Sequence, residues 1–277
     1  MDRAAGRAAR RQVRRGSAGV VLGLVAVLGL AGAAGAAWQG PFDAWFGGGA
    51  YVDIAGETMR IPDPAPSAGR LAPAVPVTTA GSYAFLHTTP EGAPVGYDPC
   101  RPARYVVQPD AMPSGGQQLV TEAVTVLEAA TGLVLEYAGT TDEPAAVERV
   151  LIQPERYGDV WAPVLIAWSD ETATPELAGD VAGLGGSAVV PGADGTGQWL
   201  AAGRVVLDVA DVGALLERRD GWAKARALVV HELAHVLGLD HVDDPTELMH
   251  PVNATRTDLG PGDRAGLALL GQVACED

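Results

Sequence analysis

From residue 103 onward the chain alternates short apolar runs with breakers, and the first run, ARYVVQP (103–109), is β-rich and closed by proline. Leu119, Val120, Ala123, Val124, Leu127 and Ala130 then recur at three- and four-residue spacing, with Ser114 placed to cap and Gly132 to stop a helix. LVLEYAG (133–139), RVLIQP (149–154), PVLIAWS (163–169), SAVVP (187–191) and GRVVLDV (203–209) are each short, rich in β-branched residues and bounded by Gly or Pro. A second long helix is expected over 222–238 and a last one over 261–274, with proline at its start. The pattern predicts an α+β domain with a sheet of about five strands.

The front of the chain reads differently. Six arginines fall in residues 1–15, and residues 17–37 carry no charge. A basic flank before an apolar run predicts a signal peptide or an N-terminal membrane anchor over 1–37 that engages the membrane or the export machinery. Either places the remainder outside the cytoplasm, secreted or anchored. Residues 62–76 hold five prolines among alanines, so 38–82 is expected to be a Pro/Gly/Ala-rich stalk or linker and 83–277 the folded domain, acting as a monomer. Residues 38–61 show no sustained period.

Composition narrows the partners. Beyond residue 37 there are 13 Lys and Arg against 33 Asp and Glu, a balance that repels phosphate backbones and excludes nucleic acid as a natural partner. The two cysteines, Cys100 and Cys275, are expected to form a disulfide in an oxidising compartment; the rival reading is a Cys100 thiolate blocking a metal.

Three of the chain's five histidines lie within HELAHVLGLDH (231–241). On a helix, positions i and i+4 share a face, so His231 and His235 can point at one metal ion. Gly238 can end the helix in the left-handed conformation, which lets His241 return as third ligand and leaves a fourth position open, the pattern of a catalytic zinc site. Glu232, about 100° around the helix, can reach water at that position as the general base without coordinating. The implied reaction is peptide hydrolysis. His87 and His250 lack spaced partners and are read as non-ligands, and the PGADGTG loop around Asp194 is read as a Gly-rich turn before a calcium site.

This segment resembles the long zinc signature HExxHxxGxxH of the metzincin metalloproteases, and TELMHP (246–251) resembles their Met-turn in its matrixin form. YDPCRPARYVV and GDRAGLALLG look like the flanks of bacterial matrixin-like proteases, so the likeness spans roughly 97–277. The resemblance implies a metzincin-type domain: a mixed, twisted sheet, an active-site helix, one catalytic zinc, and Met249 as an apolar floor beneath it. It also implies that the edge strand GLGGSAVV pairs with a peptide or protein substrate, with Gly185, Gly186 and Ala188 on that edge and Pro251, Val252 and Asn253 on a pocket wall. The chain departs from the family at Val242, where matrixins carry Ser, and at Pro251, where some metzincins place a zinc-reaching tyrosine. No cysteine-switch propeptide is present, and only His87 lies upstream to serve a structural zinc. The rival function is a catalytically inactive, zinc-stabilised binding domain at the cell surface.

Overall fold

The computed structural model describes residues 50–54, 57–252 and 255–276; the expected export segment and Asn253 lie outside them. The chain opens with the hairpin β1 (Tyr51–Ile54) and β2 (Glu57–Arg60), then β3 (Ala84–Phe85). A five-stranded sheet follows, formed by β4 (Ala103–Val107), β5 (Leu135–Thr140), β6 (Val164–Ser169), β7 (Gly183–Val190) and β8 (Trp199–Asp208). Its order is β5-β4-β6-β8-β7; the first four strands are parallel, and β7 runs antiparallel to β8 at the end of the sheet. The fold is therefore α+β with a mixed five-stranded sheet, as expected.

Alternation along the strands divides the core. Tyr105, Val107, Ile166, Trp168, Val205 and Leu207 face the helices α1 (Gly116–Thr131), α4 (Gly221–Leu237) and α5 (Pro261–Leu270), and this is the main apolar cluster. Val106, Leu165 and Ala167 form a smaller cluster on the opposite face. All six periodic residues of α1 are buried, and Gly132 ends the helix with φ 70°.

Four local expectations are corrected. Ser114 makes no capping bond; the helix begins after Gly115 (φ 84°), because the chain turns there against Trp222, where a Cβ would stand 2.8 Å from the indole. RVLIQP forms no sheet strand. Arg149 is drawn into a buried ion pair with Glu143 at 2.6 Å and donates to the carbonyls of Pro163 and Gly203, which ties this loop onto the outer face. Only Ile152 makes a bridge, to Trp161, before α2 (Pro154–Tyr157) begins. The apolar pattern marks only SAVVP, but the strand is the whole of GLGGSAVV, the edge strand that the resemblance implied, because GLGG lacks the β-branched side chains by which pattern alone signals a strand. Helix α5 ends at Leu270, short of 274, because Gly271 packs against the Thr131 backbone. Helix α3 (Val209–Leu216), which the pattern did not suggest, is capped by the Asp208 side chain accepting from the Asp211 N–H.

Residues 61–82 contain no helix or strand, yet they lie along the domain. Arg70 donates to the Gly271 carbonyl at 2.6 Å, Gln272 to the Val75 carbonyl at 2.8 Å, and Ser67 to the Cys100 carbonyl at 2.8 Å. Cys100 and Cys275 are bonded, joining the approach to β4 to the chain beyond α5. Among the described residues no helix is long and apolar enough to cross a membrane.

Candidate metal centre

Helix α4 is buried without a break from Ala227 to Leu237, so its histidines are held in the core rather than on a wet face. At Gly238 the φ of 114° ends the helix, with the glycine N–H shared between the carbonyls of Ala234 and His235. A Cβ there would stand 2.8 Å from Leu270 and 3.1 Å from the Val95 carbonyl, so a side chain would obstruct the turn. The chain then runs through β9 (Leu239–Asp240), antiparallel to β3, and delivers His241 back beside the helix.

The three Nε2 atoms converge. They stand 3.1 Å apart for His231 and His235, and 3.2 Å for each of the two pairs with His241. Nδ1 of His231 lies 2.9 Å from the Leu248 carbonyl oxygen, and Nδ1 of His235 lies 2.8 Å from that of Leu239. A carbonyl only accepts, so both Nδ1 atoms carry the proton and both Nε2 atoms present lone pairs. Lone pairs facing each other at this distance repel unless a cation lies among them. Three nitrogens each about 2.0–2.1 Å from one tetrahedral ion stand about 3.3–3.4 Å apart, close to the observed edges, so the donor set and its size fit zinc. The carbonyl partners are the outer supports that such ligands require.

Burial keeps these rings neutral. The His231 pKa is lowered to about 3, by burial first and by the neighbouring His241 second, against the opposing bond to Leu248. His235 is pushed well down by burial and by both other imidazoles. His241, less buried, is lowered by burial, with Asp240 acting against it. In the unfolded chain these groups take up protons near pH 6.5, whereas in the fold they resist. A histidine with a depressed folded pKa makes the native state lose stability as pH falls below its unfolded value. The metal-free protein is therefore expected to weaken from about pH 6.5 downward, by up to about 1.4 kcal/mol per pH unit for each fully buried imidazole. Denaturant midpoints measured in chelator between pH 7.5 and 5 check this; a flat profile would contradict it.

Glu232 is fully buried, and neither carboxylate oxygen has a hydrogen-bond partner. Its pKa is pushed up to about 8 by burial, offset in part by the Arg204 charge and by the nearby Gly185 N–H, which makes no bond of acceptable geometry. The carboxylate is not among the groups that converge within 4.8 Å, so it stands apart from the imidazole triangle. Strand β7 lies directly on this turn of the helix: a Cβ on Gly183 would meet the Glu232 side chain at 2.8 Å, and one on Gly185 the Glu232 carbonyl oxygen at 2.1 Å. Glycine is what allows strand and helix to approach so closely.

The other predicted residues are placed as follows. Met249 is buried in the main core, and its carbonyl accepts from the Val242 N–H at 3.1 Å. Gly185 and Gly186 are buried in β7, while Ala188 packs with Val190, Ala201 and Ala202 in a separate small cluster. Pro251 is half-buried and Val252 exposed. His87 and His250 stand outside the triangle; the latter bonds to the Val252 backbone. Asp194 is engaged by the Thr196 N–H and hydroxyl in a tight turn. A cavity of roughly 990 Å³ opens on the far side of the sheet, beside Tyr157, Trp161 and Trp199, and none of the predicted site residues lines it.

Two buried carboxylates escaped sequence reasoning. Asp263 accepts from the N–H groups of Leu248, Met249 and Gly260, and Glu247 from those of Gly262 and Asp263. The one signal was Asp263 as an acidic residue in the first turn of α5.

Residues 168–270 match the Peptidase_M10 family model, "Matrixin". No curated protein sequence matches the chain. The mixed sheet, the broken helix with its converging histidines and the family match over residues 168–270 together support a matrixin-like metzincin fold for this domain. The match suggests a zinc metallopeptidase, and the three converging histidines are a candidate site whose donor set suits that metal.

Proposed function

We propose that the protein is a zinc-dependent endopeptidase that hydrolyses peptide or protein substrates outside the cytoplasm. The observation that carries this is the triangle of Nε2 atoms at 3.1–3.2 Å, with the Nδ1 atoms of His231 and His235 fixed outward as donors. His231, His235 and His241 hold a single ion from one side. When bound there, zinc supplies Lewis acidity to water and to a substrate carbonyl and, as a nearby dication, favours ionised Glu232. Glu232 takes the proton from the attacking water and delivers it to the leaving amine. Strand β7, at the end of the sheet, aligns an extended peptide by strand addition, with Gly185 and Gly186 offering backbone to it. Pro251 and Val252 wall the neighbouring pocket, and Met249, buried in the main core, would serve as the apolar floor of the metal site.

The disulfide supports an oxidising location, in keeping with the arginine-flanked apolar run at the front of the chain. The test is purification of the full chain, measurement of its metal content, and cleavage of casein with and without a chelator. One zinc per chain and cleavage abolished by the chelator, restored by zinc, are expected. Stoichiometric zinc with no hydrolysis across a broad peptide library would point instead to an inactive binding domain.

A further inference from the structure

The two helix histidines take their orientation from the carbonyls of Leu248, in the turn after His241, and Leu239, in β9. Both segments lean on residues 81–86, outside the stretch that carries the zinc signature.

At one end of these residues is β3. Phe85 pairs with Leu239 and Ala84 with Asp240, and the Leu86 N–H donates to the Gly238 carbonyl at 2.9 Å. β9 is only two residues long and follows directly on a helix end. β3 supplies its backbone pairing, and so fixes the carbonyl that orients His235 and the approach to His241. At the other end is Glu247, fully buried and next in chain to Leu248. One carboxylate oxygen accepts from the N–H groups of Gly262 and Asp263 at 2.9 and 3.0 Å, and the other from that of Ser82 at 3.4 Å. Ser82 also donates its hydroxyl to Asp244 at 3.2 Å. The strap reaches this position because both chains are bare where they cross: a Cβ on Gly81 (φ +82°) would stand 2.1 Å from the Gly262 nitrogen, and one on Gly262 would stand 2.1 Å from the Ser82 carbonyl oxygen.

We infer that residues 81–86, clamped by Glu247, are a common buttress of the metal centre, and that Glu247 and Gly81 are positioning residues for His231, His235 and His241. This rests on the reading that these histidines hold zinc. Outer partners of metal ligands typically change affinity by about 10–100-fold, and here one clamp serves all three ligands.

The test compares the full-length wild type with Glu247→Gln, which keeps the shape but loses the charge, and Gly81→Ala, whose added methyl would crowd the Gly262 backbone and the Glu247 carboxylate and so push the strap off its clamp. Leu165→Ala, in the apolar cluster on the other face of the sheet, serves as a control for lost stability alone. Zinc affinity is read by competition with a chromophoric chelator, and site geometry by the absorption spectrum of the cobalt(II)-loaded proteins. Zinc affinity is expected to fall about 10–100-fold in Glu247→Gln and Gly81→Ala, with an altered cobalt spectrum in both. Leu165→Ala should retain the wild-type affinity and spectrum even where its thermal midpoint falls as far. Wild-type affinity in both strap variants, or an equal loss in the control, would overturn the inference while leaving the zinc reading intact. A wild type that binds no zinc would overturn the zinc reading and the buttress with it.

Discussion

Glu232→Gln is expected to lower kcat/KM for peptide hydrolysis by about 10²–10⁴-fold, the contribution of a positioned general base, and to leave zinc content unchanged. The amide matches the carboxylate in shape, so it fits the space under Gly183, where the Glu232 side chain already sits at contact distance. It cannot take a proton from water. Glu232 also stands apart from the three converging nitrogens, so its loss removes no ligand. The native carboxylate is buried with no hydrogen-bond partner, a costly arrangement that stability alone does not explain. Steady-state cleavage of a fluorogenic peptide, with metal content measured on the same samples, decides the matter. A variant as fast as wild type would remove Glu232 from the mechanism, and one that also lost its zinc would show that the residue supports the site instead of the chemistry.

Replacing both Cys100 and Cys275 by Ser is expected to cost up to about 5 kcal/mol of stability in the chain-entropy account, toward the top of the usual range for one bridge. The cross-link spans 175 residues, and it encloses nearly the whole domain from the entry of β4 to the chain beyond α5. Without it the unfolded chain recovers the freedom of a very long loop. The folded chain also loses the tie that holds the ends of the domain together beside Arg101, which donates to the Glu276 carbonyl at 2.8 Å. Guanidinium unfolding of the double variant, and of wild type with and without reductant, measures the loss. Coincident midpoints in all three would show that packing of α5 already holds the terminus in place. A disulfide of this weight also argues for folding in an oxidising compartment.

Legibility followed the range of the interaction. The periodicity of α1 was readable because each of its six apolar residues meets the same core a turn apart. His231, His235, Gly238 and His241 were readable because the two turns of helix, the left-handed break and the return are all local backbone geometry. RVLIQP misled because its β-branched residues say only that the segment is half-buried; Arg149 and its partners across the loop decide that it stays out of the sheet. GLGG was the reverse case, legible as strand through the resemblance and not through its pattern: Gly183 and Gly185 are bare because Glu232 packs there on the facing helix, 49 and 47 positions away in the chain. The proline-rich run could be read as extended, but nothing in its own residues says that it lies along the domain.

By itself, then, the order of residues determined that three imidazoles meet, since their spacing and one glycine act within eleven positions of chain. Only the tertiary structure decided what aims them. Apart from the Leu239 carbonyl, four residues from His235, the groups that do so lie outside those eleven positions: the Leu248 carbonyl, the carboxylates of Glu247 and Asp263 and the strap at residues 81–86. They meet because burying a polar group without a partner costs free energy. The buried N–H groups and carbonyls of separate segments are therefore driven to satisfy one another in one place.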